Sequence, residues 1–221
     1  VVLDPVGVGA SSFRKQTAEQ LLKEVRFDAI RGNISEIKTL ASLCGTQEKN
    51  SGNMAVSDTM DVEKITDKSD HCGKITGIDG SGRGVDADNA DTVTEENLAQ
   101  HISNAKMLSK KLQTIVAITG AIDLVTDGSS CYVIRNGNPQ MGHVTGAGCQ
   151  LSGILTAFLA ANPENKLQAA AAAVCMMGYA GELAAEKSGQ SGSGTYRVSL
   201  MDAVSCMDGD ILERGARYEI R

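Results

Sequence analysis

Thr114-Ile115-Val116-Ala117-Ile118-Thr119 is an unbroken β-rich run whose interior side chains are all apolar. A strand with one wet face alternates apolar and polar residues, so a run without alternation predicts a strand covered on both faces. Such a strand needs helices above and below it, and the flanking sequence supplies them. With 221 residues the chain can bury a full core, and its length favours a single domain carrying one insertion.

The N-terminal part reads as repeated strand-loop-helix units. Val1 to Leu3 is a short strand and Asp4 to Ala10 a loop, after which Ser11 or Ser12 caps a helix reaching about Arg26. Asp28 to Arg31 is a second strand, broken by Gly32. Asn33 with Glu36 three places on has the pattern of a capping box opening a helix to about Cys44. From about 45 to 84 the sequence is polar, glycine-rich and without periodicity, which reads as an insertion with little regular structure on the surface.

Helical spacing resumes from Glu95 to Leu112, ahead of the apolar run. Asp123 to Thr126 and Cys131 to Arg135 read as strands around a Gly128 turn. Asn136-Gly137 is a hairpin signal leading into a strand from Met141 to Val144. Ala147 to Ala161 and Lys166 to Glu186 are helices apolar enough to be largely buried. A Gly/Ser loop, a strand from Thr195 to Leu200 and a polar tail complete the chain. Alternating strands and helices imply an α/β sandwich with a mostly parallel sheet.

Composition narrows the function classes. Aromatics make up 3% with no Trp, which argues against a stacking platform for nucleic acid, and a net charge of −6 disfavours polyanionic partners. The six cysteines form no C-x-x-C pair, which fits a reducing, cytoplasmic setting. The sequence shows neither a basic-then-apolar leader nor an uninterrupted apolar run of about 18 residues, so no membrane partner is expected. Cys44, Cys72, Cys131, Cys175 and Cys206 are expected to be structural or incidental. His71 and His101 read as surface residues, and His143 as a hydrogen-bonded packing residue on its strand.

In parallel α/β sheets ligands gather at the carboxyl ends of the strands. Asp4, Arg31, Thr119 and Gly146 each fall at or just past such an end. Val144-Thr145-Gly146-Ala147-Gly148-Cys149 runs through two glycines into a long helix, a geometry whose free N–H groups and dipole favour an anion. Each residue keeps a second reading. Arg31 suits either a phosphate or a salt bridge, and Asp4 either a water-bridged magnesium ion or a turn. Glu36 is a capping partner that can also reach metal-bound water. Thr119 offers a hydroxyl at the sheet edge, and Cys149 is either a proton acceptor or a small apolar side chain.

Asp4-Pro5-Val6-Gly7-Val8-Gly9-Ala10-Ser11, Ile30-Arg31-Gly32-Asn33 with Glu36, Ala117-Ile118-Thr119-Gly120 with Asp123, and Val144 to Cys149 together resemble the hydroxyethylthiazole kinase family in content and order. The likeness continues through Ser152 to Ala161, Gly178 to Glu186 and Gly192-Ser193-Gly194-Thr195. It implies a ribokinase-like three-layer α/β sandwich and ATP-dependent phosphorylation of 4-methyl-5-(2-hydroxyethyl)thiazole in thiamine salvage, by a homotrimer with sites at subunit interfaces. Carried over by position, Arg31 and Thr119 bind ATP, and Gly146 and Cys149 meet the thiazole. Asp4 and Glu36 serve Mg²⁺, and the backbone of Gly146, Ala147, Gly148 and Cys149 holds the phosphoryl group. The wider ribokinase-like relatives carry Asp where this chain has Cys149. The chain is expected to lack the N-terminal segment of that family, and the region from about Cys44 to Gly84 is longer than its pattern. The residues leave open a kinase for another small alcohol, such as a hydroxymethylpyrimidine, or a non-catalytic nucleotide-binding homologue.

Overall fold

The computed structural model describes residues 1–45 and 92–221. The polar insertion expected beyond Gly45, with His71 and Cys72, lies outside the described residues. Six strands form one sheet in the order β1 (Val2–Leu3), β2 (Ala29–Gly32), β3 (Ile115–Ile118), β4 (Asp123–Thr126), β5 (Cys131–Ile134) and β6 (Tyr218–Ile220). β3 is buried along its whole length, as its unalternating sequence requires. Ile115 and Ala117 join one core with α4 (Ala147–Ala161), α5 (Lys166–Ser188) and α6 (Ser193–Ser205). Val116 and Ile118 join the other with α1 (Ser12–Glu24), α2 (Ile34–Gly45) and α3 (Leu98–Leu112). Three layers result, with the sheet in the middle.

The sheet is mixed rather than mostly parallel. β1, β2 and β3 run parallel, whereas β4, β5 and β6 each pair antiparallel with the preceding strand. The cause is local: only Thr119 to Ile122 separate β3 from β4, too short a link for the crossover that a parallel partner needs. The Asp127 carboxylate, accepting from the N–H groups of Ser129 and Ser130, closes the next turn in the same way.

Further expectations give way to tertiary contacts. Asn136-Gly137 makes no hairpin. Asn136 is buried, its Nδ2 donating to Gly215 O at 2.9 Å and Glu182 Oε1 at 3.1 Å while its Oδ1 accepts from Arg217 N at 2.7 Å. The strand beside β5 is therefore β6, drawn from the tail that reads as merely polar.

Met141 to Val144 is not a strand. Pro139 opens a 3₁₀ turn over Pro139–His143, with Asn138 capping Gln140 N, so His143 is exposed and not a packing residue. Thr195 to Leu200 lies inside α6 rather than in a strand, and its Tyr196 hydroxyl donates to Gly181 O of α5. His101 is buried on α3 instead of lying on the surface.

The two apolar helices differ. α5 is long and apolar enough to cross a membrane, yet 61% of its most apolar window is buried inside the protein. α4 buries only the stripe Leu151, Leu155 and Leu159, leaving Gly153, Ala157 and Ala160 exposed. The burial expected over most of this helix is thus restricted to one face.

Candidate active site

Because β1, β2 and β3 run parallel, the residues at their carboxyl ends share one sheet edge. Asp4 follows β1, Arg31 is the penultimate residue of β2, and Thr119 follows β3, its N–H extending the ladder to Gly32 O at 3.0 Å. The three side chains are joined. Arg31 Nη1 donates to Asp4 Oδ2 at 3.2 Å and Arg31 Nη2 donates to Thr119 Oγ1 at 2.9 Å. The Arg31 and Asp4 side chains are 14% and 16% exposed, so this pair is screened far less than a surface salt bridge. Thr119 Oγ1 acts as acceptor here, which leaves its own proton for another partner.

The entrance of α4 closes onto this cluster. Gly146 caps the helix at φ 92°, a left-handed conformation that side chains disfavour, and space in front of it is open. A β-carbon on Gly148 would stand 2.9 Å from Arg31 Nη1, so the missing side chain lets the guanidinium lie against the first turn of the helix. Gln150 N bonds Gly146 O at 3.0 Å, and Ala147 N makes a long 3.4 Å bond to Val144 O. The N–H groups of Gly148 and Cys149 have no acceptor among the described residues, as first-turn donors do until a capping group or ligand arrives.

A cleft of about 580 Å³ opens beside this turn, lined by Arg31, Thr119, Gly120, Ala147 and Gly148, and on its far side by the 136–142 segment and α5. Asp4, Glu36, Gly146 and Cys149 are not among its lining residues; Cys149 is exposed next to the lining Gly148. Two residues that the sequence motifs include without assigning them a role also belong here. Asp123 lines the cleft because β4 starts, rather than ends, at this edge. Its Oδ1 accepts from Gly120 N at 2.8 Å, and burial pushes its carboxyl up to about 7, against a smaller opposing pull from Arg31. Ser152, one turn into α4, donates to Asp4 Oδ2 at 2.6 Å. A serine directly beside Leu151, in the stripe Leu151, Leu155 and Leu159 that α4 buries, was the available signal.

The two carboxylates considered for metal differ in what they can offer. Glu36 Oε2 accepts from Asn33 N at 2.8 Å while Asn33 Oδ1 accepts from Glu36 N at 2.8 Å, the reciprocal capping box expected. Its other oxygen accepts from Gly7 N at 2.9 Å. Glu36 thus holds the 4–10 loop against α2 with both oxygens engaged. Asp4 Oδ1, in contrast, is buried with no hydrogen-bond partner among the described residues. No cluster of three or more His, Cys, Asp or Glu could hold a metal among those residues. A magnesium ion carried largely by phosphate and water, and reaching a single free carboxylate oxygen, fits this donor set.

Residues 1–72 and 45–210 match the hydroxyethylthiazole kinase family. The chain belongs to that family. It is 44% identical over 220 residues to the hydroxyethylthiazole kinase of Clostridium acetobutylicum, covering 99% of this chain and 68% of that protein. Identity to the hydroxyethylthiazole kinase of Desulfovibrio desulfuricans is 36% over 229 residues, covering 100% of this chain and 67% of the relative. The solved hydroxyethylthiazole kinase of Pyrococcus horikoshii OT3 superposes with a TM-score of 0.69 at 24% identity, over 100% of this chain and 65% of that one, a likeness that establishes the ribokinase-like fold. The chain therefore spans about two thirds of the length of these relatives.

Proposed function

We propose that this chain is a single ribokinase-like kinase domain that transfers the terminal phosphoryl group of ATP to the hydroxyl of 4-methyl-5-(2-hydroxyethyl)thiazole, a step of thiamine salvage. The observation that carries the reading is the α4 entrance, where two unpaired N–H groups stand beside an arginine held in place by Asp4 and Thr119. Phosphoryl transfer asks a protein chiefly to position reactants and stabilise charge on the migrating group. Donors fixed before the substrate arrives do this without reorganising during the reaction.

In this reading the Gly148 and Cys149 N–H groups donate to oxygens of the migrating phosphoryl, with Gly146 and Ala147 shaping the turn. Arg31 keeps a fixed orientation because two of its donors are already committed, and the remaining N–H groups of its two terminal nitrogens serve the nucleotide phosphates, while Nε is buried without a partner among the described residues. The Thr119 hydroxyl donates its free proton to the same nucleotide. Gly146 and Cys149 meet the thiazole, and the exposed Cys149 sulfur, in its thiolate form, takes up the proton that the hydroxyl loses on forming its bond to phosphorus. Mg²⁺, when bound, would neutralise charge on the nucleotide phosphates. Asp4 Oδ1 would hold it through water, and Glu36, whose oxygens fix the loop beneath, would reach metal-bound water at most.

The reading also includes a cytoplasmic homotrimer. The free thiols of Cys44, Cys131, Cys149, Cys175 and Cys206 support the first term, and the exposed small apolar face of α4 supports the second. Incubation with ATP, Mg²⁺ and the thiazole alcohol, followed by ³¹P NMR, tests the activity. A phosphate ester forming on the thiazole but not on hydroxymethylpyrimidine is expected. Absence of ester with a folded protein overturns the reading.

A further inference from the structure

The two oxygens of the Asp4 carboxylate are treated unequally. Among the described residues Oδ2 receives two donors, Ser152 Oγ at 2.6 Å and Arg31 Nη1 at 3.2 Å, while Oδ1 is buried with none. A buried carboxylate oxygen without a donor is costly, and when donors are within reach they normally spread over both oxygens. We propose that Ser152 is a positioning residue that, together with Arg31, locks Asp4 through Oδ2 and so holds Oδ1 free for the water shell of the nucleotide-borne cation. This inference rests on the kinase reading above.

The hydroxyl of Ser152 has one proton and two acceptors in range, Asp4 Oδ2 and, at 3.2 Å, Gly148 O of its own helix. The shorter bond, to an ionised acceptor, is the stronger. It ties the carboxylate after β1 to the turn of α4 that carries the Gly148 and Cys149 N–H groups, so the cation ligand and the phosphoryl cradle share one frame. Without the hydroxyl, Asp4 is held by Arg31 alone at the longer distance and is free to rotate Oδ1 toward the guanidinium. Partners one step removed from a metal typically change its affinity by about 10–100-fold when removed.

Mn²⁺ binding followed by electron paramagnetic resonance in the presence of a non-hydrolysable ATP analogue tests this. Ser152→Ala is expected to weaken the cation at least about 10-fold, with affinity for the metal-free analogue unchanged. Ser152→Thr, which keeps the hydroxyl, is expected to bind as the wild type does. A purely structural role instead lowers the unfolding midpoint of Ser152→Ala while leaving Mn²⁺ affinity in place, and that result overturns the proposal while leaving the kinase reading intact. Should Ser152→Ala fail to fold, Ser152→Cys, similar in size but a poor donor, carries the same comparison. A wild-type protein that binds neither analogue nor Mn²⁺ removes the kinase reading and this inference together.

Discussion

Asp123→Asn isolates the cost of a buried charge beside the cleft. Asp123 is 9% exposed and its carboxyl is pushed up to about 7 from an ordinary 3.8 by burial, which outweighs the Gly120 N–H bond and the pull of Arg31. A displacement of that size corresponds to about 4 kcal/mol between the two protonation states. The direction follows from proton linkage. Between pH 4 and 7 the folded chain holds a proton at Asp123 that the unfolded chain has released, so stability from this group is fully present below pH 3.8 and is lost as pH rises through about 7.

Asn keeps an oxygen able to accept from Gly120 N and carries no charge. Urea unfolding of wild type and Asp123→Asn at a series of pH values should therefore show the variant gaining on the wild type by about 1.4 kcal/mol per pH unit between about pH 4 and 7. The gap should level off at higher pH. Groups that titrate alike in both proteins cancel in the difference. A gap independent of pH, or an Asp123 carbon resonance titrating near 4, would refute the argument.

Gly148→Ala should raise the apparent KM for ATP at least about tenfold by pushing Arg31 away, roughly 1.4 kcal/mol. In an Arg31→Ala background the same change should cost little, and additivity in that double-mutant cycle would contradict the contact. Arg31→Ala by itself should act mainly on the KM for ATP, and unchanged ATP dependence removes it from the site. Asn136→Ala leaves the Arg217 N–H and the Gly215 carbonyl without their partner and should destabilise the fold by about 2–4 kcal/mol in urea; a loss below about 0.5 kcal/mol would show that water replaces these bonds. Cys149→Asp should retain turnover, since a carboxylate accepts the same proton, whereas Cys149→Ala should lose about 100-fold or more in kcat. Equal turnover in Cys149→Ala and wild type would exclude the thiol from proton transfer.

The parallel half of the sheet and the edge where its carboxyl ends gather were legible in the sequence because they depend on local signals. The unalternating apolar run of β3, the Asn33/Glu36 capping box and the glycines at the α4 entrance each state their role within a few residues. In the antiparallel half β4 and β5 were legible around the Gly128 turn, but β6 was not, since its pairing with β5 depends on contacts far apart in the chain. Asn136 has the composition of a turn, but Arg217 and Gly215 convert it into a buried clamp that seats β6 next to β5.

The candidate site divides the same way. Asp4, Arg31 and Thr119 were found from the rule for parallel strands, and they do meet. Asp123 was passed over as a site residue because the rule looks only at strand ends, and an antiparallel strand brings its start to the same edge. Ser152 was missed because a serine in the second turn of an apolar helix acquires meaning only once β1 lies beside it.

The central claim is that the amides opening α4, flanked by Arg31, receive the migrating phosphoryl group. A crystal structure with ADP, aluminium fluoride, Mg²⁺ and the thiazole alcohol tests it most directly. Fluoride or oxygen atoms are expected within about 3 Å of the Gly148 and Cys149 nitrogens, with the alcohol oxygen in line on the Cys149 side. A phosphoryl mimic bound elsewhere, or a side chain filling that turn in the complex, would contradict it.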